Sequence, residues 1–95
     1  MTTEEVAEVI IALRAFGLSD VVPVPSFEHL GIHAFRGTRI GEDGWDQTVD
    51  VAIGDDGTEA SDRFECILSI DGKDVSVKTA RTFKEAIVAA AKGWL

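Results

Sequence analysis

The segment RFECILSIDGKDVSVKTA, residues 63–80, constrains this chain more than any other. Phe64, Cys66, Leu68 and Ile70 recur at every second position, Asp71-Gly72 interrupts them, and Val75 and Val77 resume the alternation. Period-two patterning on both sides of an Asp-Gly pair specifies an antiparallel hairpin with a two-residue turn, because that turn needs residues that tolerate positive φ. The expected register pairs Ile70 with Lys73, Leu68 with Val75, Cys66 with Val77 and Phe64 with Thr79. It also sets Glu65 opposite Lys78 on the outer face, a favourable cross-strand pair.

A lone hairpin is marginal in water and needs more strands and a cover. WDQTVDVAI, residues 45–53, supplies another strand, with Val49, Val51 and Ile53 on one face and Asp46, Thr48 and Asp50 on the other. GIHAFRGTRI, residues 31–40, reads as a weaker strand in which Gly37 is a candidate bulge. Residues 3–16, TEEVAEVIIALRAF, carry Val6, Val9, Ile10, Leu13 and Phe16 at helical spacing. Thr3 is the expected cap, Glu4 and Glu5 suit the positive end of the helix dipole, and Gly17 offers a C-terminal stop. The last fourteen residues, TFKEAIVAAAKGWL, form a second helix, with Thr82 and Glu85 at capping-box spacing and Phe83, Ala86, Ile87, Ala90 and Trp94 as its stripe. Between the first helix and the first strand, LSDVVPVPSF holds two prolines one residue apart, which forbid a helix. Its valines make residues 18–28 an ordered connection laid over the core. The expected fold is therefore α+β, a single domain over residues 1–95. One antiparallel sheet of three to four strands has an N-terminal and a C-terminal helix packed on one face.

Composition narrows the function classes. A net charge of −8 argues against direct binding to nucleic acid or to an anionic membrane, both of which need a basic footprint. At 45% hydrophobic residues the chain is too apolar for a disordered acidic tail. No apolar run reaches the ~20 residues of a membrane span. The acidic start, MTTEEVAEV, is unlike a secretory signal, and one cysteine allows no internal disulfide, so a cytoplasmic location is expected. Few lysines, no tyrosine and abundant Ala, Val, Gly and Asp fit a bacterial or phage genome rich in GC.

Catalytic and metal chemistry find little to work with. Cys66 falls on the inward register, where a thiol is buried and inert. No serine has the nucleophile-elbow context, and no glycine run forms a phosphate loop. His29 and His33 are four apart, but Gly31 and the upstream prolines disfavour the helix that would bring them together on zinc. GDDGTEASD, residues 54–62, lacks the spacing of an EF-hand calcium loop and reads as a solvated hairpin tip. No enzyme activity, metal or cofactor is expected.

Two features remain to be explained. Residues 42–74 hold eleven acidic residues against Arg63 and Lys73, a net of −9 that leaves +1 on the other 62. The expected acidic contact face comprises Asp46, Asp50, Asp55, Asp56 and Glu59. The first helix carries a second apolar stripe, and with the connection it gives a candidate apolar contact of Ala7, Ile11, Ala15, Leu18, Val22 and Val24.

The order helix, antiparallel strands, helix resembles that of the double-stranded RNA-binding domain. The segment TARTFKEA at the start of the last helix departs from that family's basic grip, because Glu85 offsets Arg81 and Lys84. The expected function is a small acidic protein–protein interaction module, an accessory, adaptor or inhibitor of the kind phages and mobile elements encode, with a basic protein partner. A homodimer would be the simplest use of the apolar patch. The first alternative is an acidic mimic of nucleic acid that inhibits a DNA- or RNA-handling enzyme, in the manner of anti-restriction or anti-CRISPR proteins. The second alternative is a small metal-binding protein or enzyme.

Overall fold

The computed structural model describes residues 1–55 and 63–95. Helix α1 (Thr3–Ala15) leads into strands β1 (Ser19–Val24), β2 (Ile32–Ile40), β3 (Asp46–Asp55), β4 (Phe64–Ile70) and β5 (Lys73–Ala80), and helix α2 (Phe83–Ala91) closes the order. A single 3-10 turn, Glu28–Leu30, lies between β1 and β2. The five strands form one sheet in sequence order, every neighbouring pair antiparallel. The α+β architecture with two helices on one sheet face is as the patterning implied; the sheet has one strand more.

That extra strand is β1, where a connection was expected. A proline cannot donate to a sheet ladder, but an edge strand needs partners on one side only. Pro23 therefore sits opposite Phe35 without cost to the interior. A bulge between Ser19 and Val22 absorbs Asp20, whose φ is +53°, and turns Val21 into the core. The irregularity expected at Gly37 thus belongs to the strand beside it, since β2 pairs with β3 without a shift from Ile32 to Ile40. Gly37 serves close packing instead: a Cβ there would stand 3.1 Å from Val21 Cγ2 and 3.2 Å from Leu18 Cβ.

Both helices start on a threonine cap. The cap of α1 is Thr2, one residue earlier than expected. Its Oγ1 accepts the Glu5 N–H at 3.1 Å while the Glu5 carboxylate accepts the Thr2 N–H at 2.9 Å, a reciprocal capping box. Those bonds stabilise the ionised carboxylate and hold Glu5 below its ordinary value. In α2, Thr82 Oγ1 accepts the Glu85 N–H at 3.2 Å. At the end of α1, Gly17 (φ +95°) donates to Arg14 O at 2.9 Å and Leu18 donates to Leu13 O at 3.2 Å. This is a Schellman stop, which folds Leu18 back beside Leu13.

The β4–β5 hairpin turns at Asp71 and Gly72, with φ of +52° and +83°. Ile70 pairs with Lys73 as the sequence predicts, but a bulge between Leu68 and Ser69 shifts every later pair. Leu68 meets Ser76, Ile67 meets Val77, Cys66 meets Lys78 and Glu65 meets Thr79, so the expected Glu65–Lys78 pair does not form. Val75 still packs against the core while Val77 turns to the other face, 52% exposed. Edge strands commonly carry such bulges, which twist them away from further pairing.

The core lies between the sheet and the helices. Val9 and Leu13 of α1 and Ala86, Ile87 and Ala90 of α2 meet Phe35, Val49, Val51, Ile53, Cys66 and Leu68, all at most 2% exposed. Lys84 of α2 reaches Glu8 of α1 at 3.3 Å across the outside of this layer. The other sheet face has no cover among the described residues.

Candidate functional site

The uncovered face follows from register alone. Val24 pairs with Ala34, Ala34 with Ala52, Ala52 with Ile67, and Ile67 with Val77. Directly opposed residues point to the same side. These five side chains therefore form one apolar row across all five strands, about 19 Å long at ~4.8 Å per strand. No described residue of this face is buried, whereas the centre of the opposite face is buried under the helices. The centre of the row is small (Ala34, Ala52) and its flanks are larger (Val24, Ile67, Val77), which makes the middle a shallow trough.

Polar rows border it. On one side run Val22, Arg36, Asp50, Ser69 and Asp74. Arg36 Nε donates to Asp50 Oδ1 at 2.8 Å, which holds the guanidinium above its ordinary value, and Ser69 Oγ donates to Asp74 Oδ1 at 2.5 Å. On the other side run Ile32, Gly54, Glu65 and Thr79. Within the paired strands this face carries the carboxylates of Asp46, Asp50, Glu65 and Asp74 and the guanidinium of Arg36, with Asp55 and Arg63 at its end beside Glu65.

The sequence-predicted contact residues do not form one surface. Ala7, Ile11 and Ala15 are exposed on the outer side of α1, Ile11 at 65%. Val22 and Val24 lie on the far side of the sheet, on the uncovered face. Leu18 belongs to neither, being 4% exposed in the core, where the Schellman stop puts it. Among the acidic residues, Asp46 and Asp50 are on the uncovered face as expected. Asp55 shares the alternation of Ile53 at the sheet's end, and its two carboxylate oxygens accept from Arg63 Nε and Nη2 at 2.8 and 3.0 Å. Asp56 and Glu59 fall outside the described residues.

Ala34, Ala52, Ile67, Val77 and Glu65 of the uncovered face were not singled out from the sequence. A signal was present: Ile67 is apolar at an outward position of its strand and makes CIL a continuous run. The Val77 contribution had no such signal, because only the bulge brings it to this face.

Other parts of the molecule offer less chemistry. Burial pushes the Cys66 thiol up to about 12, so it stays protonated and unreactive. His29 is on the 3-10 turn and His33 on β2. Among the described residues, no group of three or more His, Cys, Asp or Glu could hold a metal ion. No described helix is long and apolar enough to cross a membrane. No family model, no curated protein and no solved structure matches the chain.

Proposed function

We propose that this chain is a small acidic interaction module, an accessory, adaptor or inhibitor, that docks a basic protein on its uncovered sheet face. The observation that carries this reading is the continuous row Val24–Ala34–Ala52–Ile67–Val77, flanked by Asp50, Asp74 and Glu65. Apolar contact at the centre of an interface supplies most of the affinity, while rim charges steer the partner and set the rate of encounter. A second copy of the chain is a poorer occupant, because each protomer brings a charge of −8 to the contact.

One observation favours the nucleic-acid mimic as a second reading. Glu42, Asp43 and Asp71 sit on the turns at the end of the sheet where Asp46 begins β3, which extends the acidic surface along one side. A mimic would bind by charge alone.

The two readings separate in one experiment. The tagged protein and its Ile67→Asp and Asp74→Lys variants are used to capture partners from lysate, with elution in salt steps. Docking through the apolar row predicts that Ile67→Asp abolishes capture and that part of the wild-type complex survives ~1 M salt, where charges are screened within ~3 Å. Capture that is indifferent to Ile67→Asp and lost entirely at moderate salt would replace this reading with the mimic.

A further inference from the structure

The polar row Ile32–Gly54–Glu65–Thr79 has a shape that its neighbours lack. With Leu30, Asp55 and Arg63 these residues line an open cleft of about 330 Å³ beside the apolar row. Its floor is apolar: Ile32 is half-buried, Leu30 also lines it, and Gly54 contributes no side chain. A Cβ built at Gly54 would meet nothing within 4 Å, so the space above it is open.

The charges in the cleft favour one kind of guest. Among the described residues that line it, two carboxylates, Asp55 and Glu65, stand against one guanidinium, Arg63. Arg63 directs Nε and Nη2 to Asp55. Glu65 is exposed and forms no salt bridge among the described residues. Thr79, its cross-strand neighbour, adds a hydroxyl at the same wall. An apolar floor that ends in a carboxylate and a hydroxyl matches a long alkyl stem with a cationic head.

We infer that this cleft is the anchor pocket for one lysine side chain of the basic partner. The stem lies over Gly54 and Ile32, and the ammonium meets Glu65 and Thr79. The assignment rests on the reading that the uncovered face is the docking surface, and it adds what the partner must carry: a lysine placed beside the apolar segment that covers Ala52 and Ile67. A neutral side chain could fill the floor but would leave Glu65 unpaired. An acidic one would be repelled.

The test uses isotope-labelled protein titrated with Nα-acetyl-lysine methylamide and, separately, with its neutral norleucine counterpart, read by NMR amide shifts. The expected result is saturable shifts at Gly54, Glu65 and Thr79 with the lysine probe, and binding roughly two- to fivefold weaker with norleucine, the scale of one exposed charge-assisted contact. Glu65→Gln should weaken the lysine probe by about the same factor. Gly54→Val should remove binding by filling the floor, and the open space at that position allows it to fold. Equal response to both probes, no saturable shift at these amides, or indifference to Glu65→Gln would overturn the assignment. The pocket and the docking face fail separately: Ile67→Asp should abolish partner capture but should not weaken the lysine titration, since it removes nothing that lines the cleft and adds a negative charge beside it. Capture that persists without lysine binding overturns the pocket alone. Lysine binding without partner capture upholds the pocket as a cation site and overturns the docking reading.

Discussion

Cys66 and Gly31 show how far single positions are committed to the fold. Cys66 is 1% exposed between the sheet and the helices, and desolvation raises its thiol from an ordinary 9.0 to about 12. A raised folded value means that the neutral thiol's stabilising effect is complete below about pH 9 and is lost as pH rises toward 12. Stability by urea denaturation should therefore fall between about pH 9 and 11, by on the order of 1 kcal/mol per pH unit. Cys66→Ala should lack this alkaline slope although it is less stable overall. Gly31 is fixed by geometry rather than chemistry. Its φ is +78°, and a Cβ there would lie 2.5 Å from the Asp55 carbonyl oxygen, whose own N–H bonds back to Gly31 O at 2.9 Å. Gly31→Ala should cost at least about 2 kcal/mol, from left-handed backbone strain and a clash with main chain that cannot rotate away, measured by thermal or urea unfolding.

At the scale of elements, α1 depends on its ends. The Thr2–Glu5 box satisfies two N–H groups that the helix cannot, and the Gly17 stop satisfies two carbonyls at the other end. Thr2→Ala should destabilise the protein by about 1 kcal/mol in urea denaturation. Glu5 has a lowered folded value, so its contribution is present above its ordinary value of 4.5 and is lost as pH falls through the folded one. The difference between wild type and Glu5→Ala, which loses the carboxylate that accepts the Thr2 N–H, should accordingly shrink on acidification, and an unchanged difference would mean that the ionised carboxylate contributes nothing. The strands were legible in the same local way. Alternation identified β3 and β4, and Asp-Gly placed the last turn. Two bulges were not legible, because a bulge is a response to what lies across the strand. In β1 it makes room for Val21 over Gly37; in β5 it separates Val75 from Val77.

The whole molecule adds a field to these contacts. A charge of −8 repels itself in the folded state and attracts basic partners at a distance. Salt should therefore act with opposite signs on the free domain and on its complex. Raising it from low to moderate concentration should increase the melting temperature of the domain while slowing association with a basic partner. Parallel thermal melts and binding kinetics at the same salt steps check this, and a complex whose association rate ignores salt would remove the acidic rim from the mechanism.

Sequence alone determined the layer architecture, because it depends on local periodicity: apolar residues at spacings of two and of three to four can only be buried as a sheet under helices. It also determined the acidic balance and the inward place of Cys66. Only the tertiary structure decided which surface is left open. Ile11 and Val24 read as one patch because both are apolar and near in sequence, yet the turn at Gly17 sends them to opposite sides of the sheet. The row from Val24 to Val77 draws one residue from each of five strands. Register, set by turns and bulges through long-range pairing, brings those five together, and no local pattern in the chain encodes it.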